Sequence, residues 1–212
     1  AGAPGVGKST LCDPLWHHRA VTWDGKSPPA TWAPFIDEIT RLFGLIADHP
    51  TITAAVRMNN RSLRKMATVS RLTGMGTYIH VGLIQRGTGF GWRLADMGKD
   101  VSEIRRYFEL MPVSVGAAFL TASEATILER NRLRESVAET AHENRTQLVP
   151  QMQEALAIAR HTLEDRGVPV VEISTEQSEW AARRALVAFG DGRAEAADKG
   201  PLMDAMPEWW SC

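Results

Sequence analysis

Residues 2–10 read Gly2-Ala3-Pro4-Gly5-Val6-Gly7-Lys8-Ser9-Thr10, the spacing G-x-x-x-x-G-K-[ST]. These residue types suit one task, which is holding a polyphosphate. Gly2, Gly5 and Gly7 allow backbone conformations that a Cβ would forbid, so successive N–H groups can turn inward around phosphate oxygens. Ala3, Pro4 and Val6 complete the turn of the loop. Lys8 would reach the β and γ phosphates, Ser9 would give its hydroxyl to Mg²⁺, and Thr10 would assist at the α phosphate. A helix starting near Lys8 would add the positive end of its dipole, and Leu11, Leu15 and Trp16 continue an apolar face of that helix.

Such a loop needs a β-strand behind it, and only Ala1 precedes Gly2. The feeding strand is therefore expected upstream of Ala1, encoded by several more apolar residues, so the first strand of the expected sheet is missing from this chain. Downstream, Phe35, Ile36, Ile39, Leu42, Phe43 and Ile46 recur at helical spacing between Pro34 and Ala47, and a second helical stretch runs from about Thr51 to Leu72. Tyr78 to Leu83 reads as a strand, and Asp100 to Leu110 as a helix that stops before Pro112. Val113 to Leu120 is an apolar run of the kind buried on both faces of a sheet. Thr121-Ala122-Ser123-Glu124 then reads as a capping box that opens a helix through Glu135. Another helix, from near Thr140, ends at Gly167 in a left-handed cap, and Val168 to Ile173 is the next strand. Ser174 with Gln177 opens a last helix that closes at Gly190. Alternating strands and helices predict an α/β fold with a parallel sheet flanked by helices in three layers.

The chain has 212 residues, 44% of them hydrophobic, which suits one domain over residues 1–190 followed by a tail over residues 191–212. A formal net charge of −1 argues against nucleic acid or an acidic membrane as partner. The longest apolar run is far below the roughly 18 residues that would span a bilayer. Only Cys12 and Cys212 are present, which suits a reducing cytoplasm. Cys12, His17 and His18 lack a second group of ligands to make a metal site. Asp37 and Glu38 lie on an amphipathic helix and read as solvated, with a place facing a bound substrate as the alternative; Arg57, Arg61 and Arg64 share a basic helical face that is either solvated or meets an anion.

Together, the loop at residues 2–10, the strand-helix unit from Phe119 to Arg134 and the Gly167-Val168-Pro169-Val170 strand resemble P-loop kinases of small molecules, within the nucleoside and nucleotide kinase-like superfamily. The likeness covers most of residues 1–190 in order and type of elements. It implies a phosphotransferase that moves the γ-phosphoryl group of Mg·ATP to a small acceptor, either nucleoside- or nucleotide-like or another hydroxylated metabolite. In such kinases lid arginines close over the transferring phosphate. Arg130 and Arg134 match in position and share one helix face, where their mutual repulsion would be relieved by a bound phosphate. Arg145 is a further candidate by the same likeness. The other reading makes these arginines solvated charges balanced by Glu129, Glu135, Glu139 and Glu143.

The likeness also directs attention to the segment after the third strand, where His80, Gln85 and Arg86 become candidates for substrate contact. An acidic residue normally ends that strand, and here the places read His80-Val81. An imidazole can act as a base but cannot supply a carboxylate's charge to the magnesium shell. A nucleotide-binding protein without transfer activity therefore stands as the second reading. A third is an ATPase or GTPase, although no apolar strand ending in Asp and no Asn-Lys-x-Asp motif is readable. The oligomeric state and the acceptor are not legible.

Overall fold

The structure, a computed structural model, describes residues 30–69, 82–112, 116–135, 149–176 and 178–190. These residues are mixed α/β and mostly helical, with two strands in a parallel pair. In chain order they form α1 (Ala33–Leu45), α2 (Ile52–Val69), α3 (Leu83–Asp96), α4 (Arg105–Leu110), β1 (Ala117–Thr121), α5 (Glu124–Glu135), α6 (Val149–Asp165), β2 (Val170–Ser174) and α7 (Glu179–Gly190). Short 3₁₀ turns, Ala30–Trp32 and Val101–Ile104, lead into α1 and α4.

Helix α1 forms where its apolar stripe predicts it, with Pro34 in its first turn, where a missing N–H costs nothing. Phe35, Ile39 and Leu42 are buried on one face, as is Ile46 just beyond the last turn. Against them stand Tyr107 and Phe108 of α4 and Phe90 and Leu94 of α3. Burying each large apolar side chain contributes about 1.5–3 kcal/mol. The rings meet edge to face: Phe35 and Tyr107 have centroids 4.8 Å apart at 61°, and Phe43 and Phe90 lie 5.2 Å apart. The phenol of Tyr107 donates to the Leu83 carbonyl at 2.8 Å, so even this fully buried hydroxyl is paired.

Helix α3 lies at the centre of the helical part, against α2, α4 and α6. Its glycines make that possible. A Cβ on Gly91 would stand 2.6 Å from Ala155 Cβ and 2.9 Å from Ile104 Cδ1, and one on Gly87 would stand 2.4 Å from the Phe108 ring. Replacing Gly91 with alanine is expected to cost about 1–3 kcal/mol through overpacking against α6, despite alanine's better helix propensity. The urea midpoint of unfolding measures this; an unchanged or higher midpoint would mean that α3 and α6 sit further apart.

In the sheet, β1 pairs with β2 in register from Ala117 with Val170 to Thr121 with Ser174. Gly167, at φ +70°, ends α6 as expected, with the Val168 N–H bonding back to the Leu163 carbonyl at 3.0 Å. Four expectations need correction. The stretch expected as a strand through Leu83 instead opens helix α3 at Leu83, with Gly82 as its extended N-cap; residues 70–81 lie outside the described residues. The cap of α5 is Ser123, whose hydroxyl accepts the Thr126 N–H at 3.3 Å. The cap of α7 is Ser178, which accepts the Ala181 N–H at 3.2 Å; Gln177 is outside the described residues. Glu38 is buried rather than solvated, because Arg41 pairs with it through two nitrogens at 2.7 and 2.9 Å and with Glu103 at 2.7 Å. Among the described residues no helix is long and apolar enough to cross a membrane.

Candidate functional site

The carboxyl ends of β1 and β2 carry a polar network built from chain segments about fifty residues apart. Arg130, on α5, donates to the Thr175 hydroxyl at 3.0 Å and to the Thr175 carbonyl at 2.9 Å. Thr175 in turn donates its N–H to the Thr121 carbonyl at 2.8 Å, extending the ladder one residue past β2. Glu176 accepts from the Ser123 N–H at 2.8 Å and from the Thr126 hydroxyl at 2.9 Å. These bonds hold the Glu176 carboxyl below its ordinary range, and Arg130 adds a smaller electrostatic pull. Glu176 thus does for the Ser123 N–H what a glutamate in the first turn of α5 does in a capping box. The network fastens the start of α5 to the edge of the sheet where, in open parallel sheets, ligands collect. Arg134 lies one turn further along α5, its side chain outside the described residues. Arg145, His80 and the whole loop from Gly2 to Thr10 also lie outside them.

The second cluster stands between α2 and α3. Arg86 sits one turn into α3, half-buried, and donates to the Ser62 hydroxyl at 2.9 Å and to the Met58 sulfur at 3.2 Å. Burial lowers its pKa, the nearby Tyr107 acts the other way, and Arg61 lowers it further. Two turns along the same helix, Arg93 is only 5% exposed. It donates to the Gly89 carbonyl at 2.6 Å and to the Thr51 hydroxyl at 2.8 Å, and its guanidinium lies 4.3 Å from the centre of the Trp92 ring. Burial, and then repulsion from Arg86, push the Arg93 pKa down to about 10. Among the described residues neither arginine has an ion-pair partner. Gln85, also on α3, carries a buried side-chain oxygen with no hydrogen-bond partner. Burying an unpaired cation costs stability, so this arrangement favours an anion arriving from outside. Arg61 and Arg86 supply charge and donors for a phosphate- or carboxylate-sized group.

Sequence reasoning singled out Arg86 and not Arg93. The available signal was the seven-residue spacing between them, which sets both arginines two turns apart on one side of a helix that also carries Gly87, Phe90, Gly91 and Leu94. By contrast, a surface cleft lined by Glu38, Arg41, Glu103, Arg105, Arg106 and Glu109 balances its arginines with as many carboxylates and offers no excess charge. Among the described residues no group of His, Cys, Asp and Glu is arranged to hold a metal ion.

His49, between α1 and α2, is 3% exposed and bonds Asp96 through Nε2 at 3.1 Å. Its pKa is lowered, first by burial and then by Arg93, against the opposing pull of Asp96. The unfolded chain therefore takes up the proton more readily than the folded one. The contribution of His49 to stability is complete above about pH 6.5 and declines as pH falls through that value toward the lower folded-state pKa. Urea unfolding of wild type and His49→Gln between about pH 8 and pH 5 tests this: the wild type should lose more stability on acidification than the variant. A parallel decline in both would remove His49 from the account.

Compared with protein families, with curated proteins and with solved structures, the chain matches none.

Proposed function

We propose that the protein is an ATP-binding phosphotransferase that moves the γ-phosphoryl group of Mg·ATP to a small acceptor bearing an anionic group. The observation that carries this reading is the complete phosphate-binding spacing at residues 2–10. Two features of the described residues support it. Parallel strands joined through helices end in a polar network that includes Arg130, and Arg86 and Arg93 on α3 have no carboxylate partner among the described residues.

In the reaction the acceptor oxygen forms a bond to the γ phosphorus, the bond from that phosphorus to the β–γ bridging oxygen breaks, and ADP leaves with the electron pair. The acceptor hydroxyl gives its proton to a base or to solvent. Catalysis of this kind is mostly positioning and charge neutralisation. Lys8 and the loop amides hold the β and γ phosphates, and Ser9 binds the magnesium of the substrate complex. Arg130, Arg134 and Arg145 approach the transferring group, while Gln85 and Arg86 orient the acceptor. Closure of the lid over the site would exclude water and suppress plain hydrolysis.

The test is a screen of small phosphorylated and carboxylated alcohols for acceptor-dependent ADP formation with Mg·ATP. ADP that forms only when an acceptor is present supports the reading. His80-Val81 in place of an acidic strand end favours one alternative, a nucleotide binder that performs no transfer. ATP retention without ADP formation across the screen would support that alternative, and equal phosphate release with and without acceptor would point to an ATPase.

A further inference from the structure

Thr51, already met as the hydroxyl that accepts from Arg93, has a second polar neighbour. It is exposed, immediately before α2, and its hydroxyl oxygen lies 3.0 Å from His49 Nδ1 and 2.8 Å from Arg93 Nε. His49 Nε2 lies 3.1 Å from Asp96 Oδ2. Because the Asp96 carboxylate can only accept, Nε2 carries the imidazole proton and Nδ1 presents its lone pair. The Thr51 hydroxyl then donates to His49 and accepts from Arg93. A hydroxyl facing a base, with the base oriented by a carboxylate, is the arrangement of an activated nucleophile. A hydroxyl serving only to cap α2 would accept one of that helix's amides; here the Thr51 N–H itself bonds His49 Nδ1 at 3.1 Å, and the hydroxyl bonds His49 and Arg93.

We propose that Thr51 is a phosphoryl-accepting nucleophile, with His49 as its base, Asp96 as the positioning residue for that base, and Arg93 as the cation that meets the incoming phosphoryl group. The substrate class is a small anionic phosphate with a good leaving group, such as an acyl phosphate. The Thr51 oxygen forms a bond to phosphorus, and the bond from phosphorus to the acyl oxygen breaks. The carboxylate departs with its electron pair, and the hydroxyl proton passes to His49 Nδ1 and from there to water. The product phosphothreonine sets its negative charge beside Arg93 and the start of the 18-residue helix α2, where such charge is stabilised. This inference does not depend on the nucleotide loop.

The experiment treats the whole protein with acetyl phosphate and no nucleotide, then reads intact mass and maps the modified peptide. One added phosphoryl group on Thr51 is expected, retained in Thr51→Ser and absent in Thr51→Val. The labelling rate should fall on the order of a hundredfold in His49→Gln and by a smaller factor in Asp96→Asn, whose half-exposed side chain makes it the safer variant should His49→Gln fail to fold. No label, label only at other residues, or an Asp96→Asn rate equal to that of wild type would overturn the proposal.

Discussion

Replacing Lys8 with alanine is expected to lower acceptor-dependent ADP formation by roughly two to three orders of magnitude, the scale on which a single donor aimed at developing charge contributes to a transition state. On the proposed function, Lys8 is the residue of the loop that would carry a full positive charge to the γ phosphate, while the glycine amides would hold the ground state and the transition state more evenly. Lys8→Arg should recover little, since a planar guanidinium does not reproduce a compact ammonium at the β and γ phosphates. Coupled-assay kinetics with both variants measure this. Turnover in Lys8→Ala equal to that of wild type would remove the loop from the chemistry and the phosphotransferase reading with it.

Replacing Arg86 with methionine is expected to act in opposite senses on binding and stability. Losing a charge-assisted hydrogen bond to an anionic acceptor weakens binding by about 1.5–3 kcal/mol, or roughly tenfold to a hundredfold in acceptor KM. Because Arg86 is desolvated and has no ion-pair partner among the described residues, methionine there removes an uncompensated buried charge and should leave the Tm unchanged or raise it. Arg61→Met, on an exposed helical face, should change KM in the same direction and by less. The contrary result is a lower Tm with unaltered KM, which would make Arg86 a structural residue tied to Ser62.

These two residues also illustrate what a sequence can disclose. The loop around Lys8, outside the described residues, can be proposed from sequence because its chemistry is local: glycines, lysine and hydroxyls at a fixed spacing. Gly167 and the stripe Phe35, Ile39, Leu42 and Ile46 are legible for the same reason, since a cap and a helical period are near-neighbour properties. Helix α3 was not legible. Gly87, Gly89 and Gly91 lower helix propensity, and the close approach of Phe108 to Gly87 and of Ala155 to Gly91 is what the missing side chains there permit. The cap of α5 moved to Ser123 because Glu176, 53 residues away, supplies the acceptor that a local box would have supplied. Separations of 42 and 47 residues likewise hid the group around Thr51. Thr51, His49, Arg93 and Asp96 follow no motif, and become neighbours only when the turn before α2 lies along the last turns of α3.

The most direct test is a calorimetric titration of the protein with Mg·ATP, alongside Lys8→Ala. The account predicts saturable heat at one site for wild type and a marked loss of affinity in the variant. Contradiction would be the absence of binding to both Mg·ATP and Mg·GTP, or equal affinity in the two proteins.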